Sequence, residues 1–469
     1  LLADLSRRGI VLRVEDGRLR YTAPPDAFTP DLLALVKIHK AALIDLLQTG
    51  ESFFPPSFAQ RRFWTLQRLN PEESFYNAPT VFRLTGPLDA DILRKSLNAI
   101  VRRHESLRTT LQEIDGSLMQ VVAPSGEIQM TEAAANPAAR DEWLRQNYQL
   151  PFDLTRKPGL RVLLLKTGED EHFLQICMHN TLYDRTSMLV FLQELSLHYA
   201  GFVSGNPAVL PAPAQYSEYV QWQESLTNSG MEERQAYWRG WFAKGEPPQW
   251  SWKPSEPAPE TPSFEARLTW QRWPVDWTRK LAEFSQSCGA TPLICLIAAL
   301  AATLPRYTGC SDVTIGTTYS SRHHWKFETL IGPTIDVPAL RIDVTGNPDF
   351  AGLVTRVRTL VADALTFQDV PVERVLSRQP SPLFRTVLSY FPETPDASLQ
   401  LPGIQAEFQQ EILNSVSRPD LYVMVWHERT PAGDALRGCW MHKRDVFSAA
   451  TAERMARDFR DLLDTLLSH

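Results

Sequence analysis

Six prolines fall within the sixteen residues from Pro247 to Pro262, interleaved with Trp250 and Trp252. Each proline removes a backbone donor and locks φ, so neither a helix interior nor a central strand can run through this stretch. The segment is expected to run extended over a surface and to divide the chain into two stretches of comparable length. At roughly 100–200 residues per domain, 469 residues predict about two to four compact units. The expected divisions are a small N-terminal unit at 1–49, a first lobe at 53–245, a linker at 246–263 and a second lobe at 264–469. Each lobe mixes helices (Ala90–Glu105, Met188–Tyr199, Pro292–Leu304) with β-branched, aromatic-rich strands (Leu160–Leu165, Val313–Thr318, Val337–Ile342). The fold class is therefore mixed α/β.

Composition removes several function classes. A net charge of −6 argues against nucleic-acid binding, which needs a basic surface to neutralise phosphates. A hydrophobic share of 43% is too high for a disordered chain. The five cysteines (177, 288, 295, 310, 439) are odd in number and lack a CxxC pair, which favours buried thiols in a reducing compartment and no metal site. The most apolar window, Thr291 to Leu304, is too short to span a bilayer and reads as a buried helix. No secretory leader is visible, so the cytoplasm is the expected compartment, with no membrane partner.

The first 49 residues read as a unit of their own. Leu1, Leu2 and Leu5 lie at helical spacing, and Gly9 marks that helix's end. Ile10–Val14 alternates, Glu15-Asp16-Gly17 supplies a turn and Arg18–Tyr21 returns, which is a hairpin pattern. Thr29 offers an N-cap with Pro30 at the first helical position, and the apolar residues from Leu32 to Leu47 follow a helical rhythm. So short a unit has a thin core, which dimerisation or docking would help.

The segment Leu174-Gln175-Ile176-Cys177-Met178-His179-Asn180-Thr181-Leu182-Tyr183-Asp184-Arg185-Thr186-Ser187 is the chemically informative one. An apolar strand enters a polar turn, and a helix follows from Met188. Groups at a strand's end, just ahead of a helix, are well placed to face a cleft. Competing motifs are missing: the sequence has no GxSxG elbow, no HExxH and no Walker-type or GxGxxG phosphate loop. His323-His324 with Glu328 reads as a surface turn, and His104, beside Arg103 and Glu105 in an expected helix, as a packed or capping residue.

This segment resembles the signature of nonribosomal peptide synthetase condensation domains: two histidines, three variable residues, then Asp and usually Gly. Other stretches match that family in order: Ser57-Phe58-Ala59-Gln60-Arg61-Arg62-Phe63-Trp64, Arg103 through Thr109, Pro151-Phe152-Asp153-Leu154 and Tyr216 through Trp222. Ile315-Gly316-Thr317 through Arg322, Ile331-Gly332-Pro333, Gln368 through Glu373 and Pro382-Leu383-Phe384 complete the series. The resemblance implies two chloramphenicol-acetyltransferase-like lobes in a V-shaped pseudo-dimer, with a tunnel at their junction. Donor and acceptor carrier proteins would deliver phosphopantetheine arms from opposite faces, and the chain itself would bind no cofactor. The acceptor amine would attack the donor thioester, helped chiefly by the effective molarity of two tethered reactants. The chain shows neither an adenylation domain nor a carrier, so downstream carrier and adenylation domains are expected partners.

The chain departs from the family at its central position. Asn180 stands where the family has its catalytic histidine, and an amide accepts no proton near neutral pH. Either an engineered histidine-to-asparagine change or a natural loss would account for it; the intact surroundings favour an active-type domain with an impaired residue. His179 matches the first histidine, and strand alternation turns it away from the cleft that position 180 faces, so it reads as structural. Arg185 replaces the usual glycine and sets a bulky cation near the tunnel mouth. By resemblance, Asp184 pairs with Arg322 across the lobe junction and Arg62 is structural beneath the site. Asp336 and Phe367 occupy acceptor-side positions where the family often has Asn and His. Ser187 invites comparison with heterocyclising relatives, but their first motif residue is Asp where this chain has His179.

Residues 1–49 resemble the N-terminal docking domains of tubulysin- and epothilone-type synthetase subunits. That implies a dimer-forming module capturing the C-terminal tail of an upstream subunit, so that the donor arrives from another polypeptide. The hairpin edge would accept the tail as an added strand, with Arg13, Arg18 and Arg20 attracting acidic side chains.

Overall fold

A computed structural model describes the chain apart from residues 16, 26, 227–228, 248–263, 321, 323–324, 347, 377–382, 393–398, 410–415 and 468–469, and apart from the side chains of 3, 6 and 7. The linker expected at 246–263, the pair His323-His324 and Pro382 therefore lie wholly or mostly outside the described residues.

The described chain forms two compact units that interleave in sequence. The first comprises Leu1–Ser229, Ser321–Thr334 and Pro395–Asn414; the second comprises Gly230–Ser320, Ile335–Thr394 and Ser415–His469. The helix Met231–Phe242, ahead of the proline-rich stretch, thus belongs to the second unit. Its polar anchors explain why: Arg234 pairs with Asp369, Tyr237 takes a hydrogen bond from the Gln368 amide at 2.8 Å, and Arg341 caps the helix by donating to the carbonyls of Trp241 and Gly245.

In the first unit a five-stranded sheet runs in the order Gln405–Phe408, Asn77–Thr85, Glu171–His179, Leu160–Lys166, Met130–Ala134. Helices Ala90–Arg103 and Arg185–Val203 cover one face, burying Leu93, Leu97, Ile100, Phe191, Leu192 and Leu195 against Phe82, Leu174 and Ile176. Seven of the nine residues of Glu171–His179 are buried, as a central strand with neighbours on both edges requires. A three-stranded sheet, Ser52–Phe54, Ser117–Val122 and Thr109–Ile114, completes the body.

The second unit carries a six-stranded mixed sheet in the order Ala266–Trp273, Gly433–Lys443, Leu421–Thr430, Thr386–Phe391, Asp312–Thr317, Ala339–Asp343. Its core includes the helix Pro292–Thr303, buried along almost its whole length as its uniform apolarity requires. No single described helix is long and apolar enough to cross a membrane. The strand expected over Val337–Ile342 is Ala339–Asp343, since Pro338 lacks the donor a ladder position needs.

At the N-terminus, helix Leu2–Arg7, hairpin Val11–Glu15/Arg18–Thr22 and helices Pro30–Ile38 and Lys40–Leu47 enclose Leu5, Ile10, Leu12, Leu32, Val36, Leu43 and Leu47. The helical rhythm from Leu32 to Leu47 is two helices, broken at His39. Thr29 caps the first by accepting the Leu32 N–H at 3.3 Å.

Candidate functional site

The strand Glu171–His179 ends in a turn whose every step is held. His179 N–H donates to Gly159 O, Asn180 N–H to Tyr76 O at 2.9 Å, and Leu182 and Tyr183 N–H both donate to His179 O. Asp184 then caps the next helix, its Oδ1 accepting Ser187 N–H at 2.7 Å. That helix begins at Arg185 rather than Met188, because the cap supplies a nucleus the apolar periodicity does not reveal. Arg185 and Ser187 accordingly lie in its first turn. Arg185 is half-buried.

His179 is completely buried. Its Nδ1 accepts the Thr181 N–H at 3.2 Å, and Nε2 faces Gln67 Oε1 at 3.3 Å, so the ring proton sits on Nε2. Desolvation pushes its pKa down to about 3 and keeps the ring neutral. The ring braces the turn and faces no solvent. Asn180 is half-buried at the first position beyond the strand, and its side-chain amide has no hydrogen-bond partner among the described residues.

Asp184 is 2% exposed and accepts from five groups: Ser187 N–H and Oγ–H, Thr334 N–H and Oγ–H, and Arg322 Nη2 at 2.8 and 3.0 Å. Burial alone would raise its carboxyl pKa, but the Arg322 charge, with hydrogen bonds from Ser187, Arg322 and Thr334, holds it below the usual range. Arg322 also donates to Ser187 Oγ, Gly332 O, Phe327 O and Leu330 O. Both partners lie within the first unit, because the segment Ser321–Thr334 packs there. Ser187 is fully buried and also accepts Gly332 N–H at 3.0 Å, so its hydroxyl is committed to this network.

A second layer supports the turn. Ser57 and Gln60 form a capping box on helix Phe58–Leu69, and the Gln60 amide donates to Gln120 Oε1 at 3.0 Å and reaches Thr181 O at 3.5 Å. Tyr216 OH lies 2.7 Å from both Ser57 Oγ and Pro333 O. Gly332, at φ +150°, lies so close to the Tyr216 ring that a Cβ would come within 2.1 Å of Cδ2. Arg62 is half-buried with its guanidinium 5.0 Å from the Phe63 ring centroid. Gln67 and Thr334 lie close to matched motifs, which was their one signal in the sequence, whereas Gln120 lies near none and had no signal.

The remaining candidates sit elsewhere. Asp336, in the second unit, lies in a two-residue strand paired with Tyr319 and accepts Val337 N–H at 2.8 Å. Phe367, last residue of helix Phe350–Phe367, stacks on Tyr237 with centroids 5.2 Å apart. His104 is outside the helix it was expected to join: it caps Ala90–Arg103 and sits buried, 3.1 Å from Oε1 of Glu194, whose Oε2 accepts from Arg103 Nε. On the hairpin, Arg13 and Arg20 are cross-strand partners, and Glu15 lies 2.7 Å from Arg13 and 4.0 Å from Arg20. Arg18 is exposed beside them. Glu15 therefore offsets part of the charge that would attract an acidic tail. No cluster of potential metal ligands occurs among the described residues.

Comparison with known proteins gives a consistent picture. The Condensation domain family matches residues 51–469, and the TubC N-terminal docking domain family matches residues 1–49. The probable non-canonical nonribosomal peptide synthetase CymA of Salinispora arenicola is 33% identical over 433 residues, covering 88% of this chain and 6% of that protein. Cyclosporin synthetase simA of Tolypocladium inflatum is 33% identical over 415 residues, covering 85% of this chain and 3% of that protein. The chain thus spans under a tenth of these curated relatives. Among solved structures, the X-domain from teicoplanin biosynthesis superposes with a TM-score of 0.77 at 26% identity, covering 87% of this chain and 95% of that one. The same X-domain in complex with OxyB gives 0.77 as well, covering 88% and 93%. The condensation domain of the Monacolin K polyketide synthase MokA shares the fold, with a TM-score of 0.74 at 22% identity, covering 89% and 98%.

Proposed function

The chain belongs to the condensation domain family of nonribosomal peptide synthetases, with a TubC-type docking domain at its head, and on that premise we propose a specific reaction and partner. Residues 51–469 join a donor acyl or peptidyl thioester to the amine of a carrier-bound aminoacyl acceptor. The amine nitrogen attacks the thioester carbonyl, a C–N bond forms, the C–S bond breaks, and the donor arm leaves as a thiol carrying the proton the amine gives up. Both arms are phosphopantetheine groups brought by carrier proteins. The observation supporting this reading is the complete Asp184–Arg322–Ser187–Thr334 network around the turn that carries position 180. The network fixes the turn on which position 180 stands, which is the positioning that such a reaction needs.

Asn180 holds the site's place with an amide that donates and accepts hydrogen bonds but takes no proton. Positioning survives such a change; general-base assistance does not. The test is condensation by the Asn180→His chain with loaded donor and acceptor carriers. A gain of about 10²–10⁴-fold over the chain as it stands supports the reading. Unchanged inactivity supports the second one, a catalytically silent docking and gating module. That alternative draws on Asn180 itself and on the likeness to an X-domain solved in complex with OxyB. Thiazoline or oxazoline products would support heterocyclisation instead.

Residues 1–49 recruit the upstream subunit. An acidic C-terminal tail adds to the hairpin edge as a strand, facing Arg13, Arg18 and Arg20, and displaces Glu15 from Arg13.

A further inference from the structure

We propose that residues 1–49 do not swing on a tether: Phe53 pins them to the condensation body and gives them one fixed heading. The covalent link is short. Helix Lys40–Leu47 ends four residues before strand Ser52–Phe54 begins. Within those four residues, Gly50 N–H donates to Leu47 O, and Thr49 Oγ1 lies 3.1 Å from both Leu46 O and Glu51 Oε2, so the connection is itself ordered.

The strand that follows faces two ways, as the two-residue period of a strand dictates. Phe53 turns into the N-terminal core, packing against the cluster that contains Leu5, Ile10, Leu12 and Leu47 and lining a small cavity beside Leu2. Phe54 turns the other way and is 8% exposed. The backbone of the same strand pairs with the body, Phe53 opposite Val121 and Phe54 opposite Gln120. One short strand therefore belongs to the body by its hydrogen bonds and to the N-terminal core by a side chain. A unit of this size lacks enough interior of its own, and an aromatic ring borrowed from the body fills part of it. Residues 1–229 accordingly fall in one compact unit.

The pinned strand also lies close to the candidate site. It continues into Pro55, whose carbonyl accepts the Gln120 amide at 2.8 Å, and Gln120 in turn holds Gln60, which reaches Thr181 O. The docking reading supplies only what the platform carries; the pin itself requires no bound tail, and its test uses none.

The experiment compares the full chain with Phe53→Asp and Phe53→Leu, by limited proteolysis across 48–51 and by backbone amide relaxation of residues 1–47 against the rest of the first unit. In the native chain both regions tumble with one correlation time. Phe53→Asp is expected to raise cleavage across 48–51 by about tenfold or more and to free residues 1–47 to tumble faster, while Phe53→Leu stays near native. Independent tumbling of residues 1–47 in the native chain overturns the proposal. So does a Phe53→Asp cleavage rate within about twofold of native. Body amides that keep their native dispersion in Phe53→Asp separate loss of the pin from loss of the fold. Should Phe53→Asp unfold the body, native-chain relaxation alone decides the matter.

Discussion

Replacing Arg322 by Ala tests whether the buried ion pair holds the turn that presents position 180. One guanidinium contacts Asp184, Ser187 Oγ and the carbonyls of Gly332, Phe327 and Leu330, with its side chain 7% exposed. Breaking a buried pair by removing one partner typically costs about 3–5 kcal/mol. Asp184 keeps four other donors, from Ser187 and Thr334, which places the expectation near the lower bound, about 3 kcal/mol. Urea unfolding of the first unit, followed by fluorescence at several pH values, measures it. The pH dependence has a definite sign. The native carboxyl pKa is depressed, so its stabilisation is present above the unfolded value of about 3.9 and is lost as pH falls through the native value. The gap between native chain and Arg322→Ala should therefore be full at neutral pH and close in strong acid. A loss below about 1 kcal/mol at pH 7, or a gap that widens as pH falls, refutes the assignment of Arg322 as the anchor.

Further outcomes follow from the same geometry. Gly332→Ala should destabilise the first unit by roughly 3 kcal/mol, because its Cβ meets the Tyr216 ring and its φ disfavours a side chain; a thermal melt unchanged from native would contradict this. Ser187→Ala removes a buried hydroxyl that serves Asp184, Arg322 and Gly332, and should lose about 2 kcal/mol in the same melt without creating or abolishing any ring-forming activity. His179, depressed to about 3, binds fewer protons folded than unfolded, so stability should fall as pH drops below about 6.5. In His179→Leu that acid limb should be shallower by about 1.4 kcal/mol per pH unit, and an unchanged slope would place the titration elsewhere.

Local physics made much of this chain readable in one dimension. The Thr29-Pro30 cap, the hairpin before Arg18 and the wholly apolar helix at Pro292 depend on neighbours within a few residues, and they stand where spacing put them. The order of motifs likewise marked the family, since residue identity is all that such a comparison needs. Chain folding alone decided the rest. His104 and Glu194 are 90 positions apart, and no periodicity links such a pair, because loop closure leaves no imprint on composition; Arg322 and Asp184, 138 apart, were joined beforehand by the family resemblance and not by spacing. The allegiance of Met231–Phe242 to the second unit and of Ser321–Thr334 to the first was invisible for the same reason. The anchors that decide it, Arg341 on two helix-end carbonyls and Arg322 on three loop carbonyls, are bonds to backbone atoms that every residue carries.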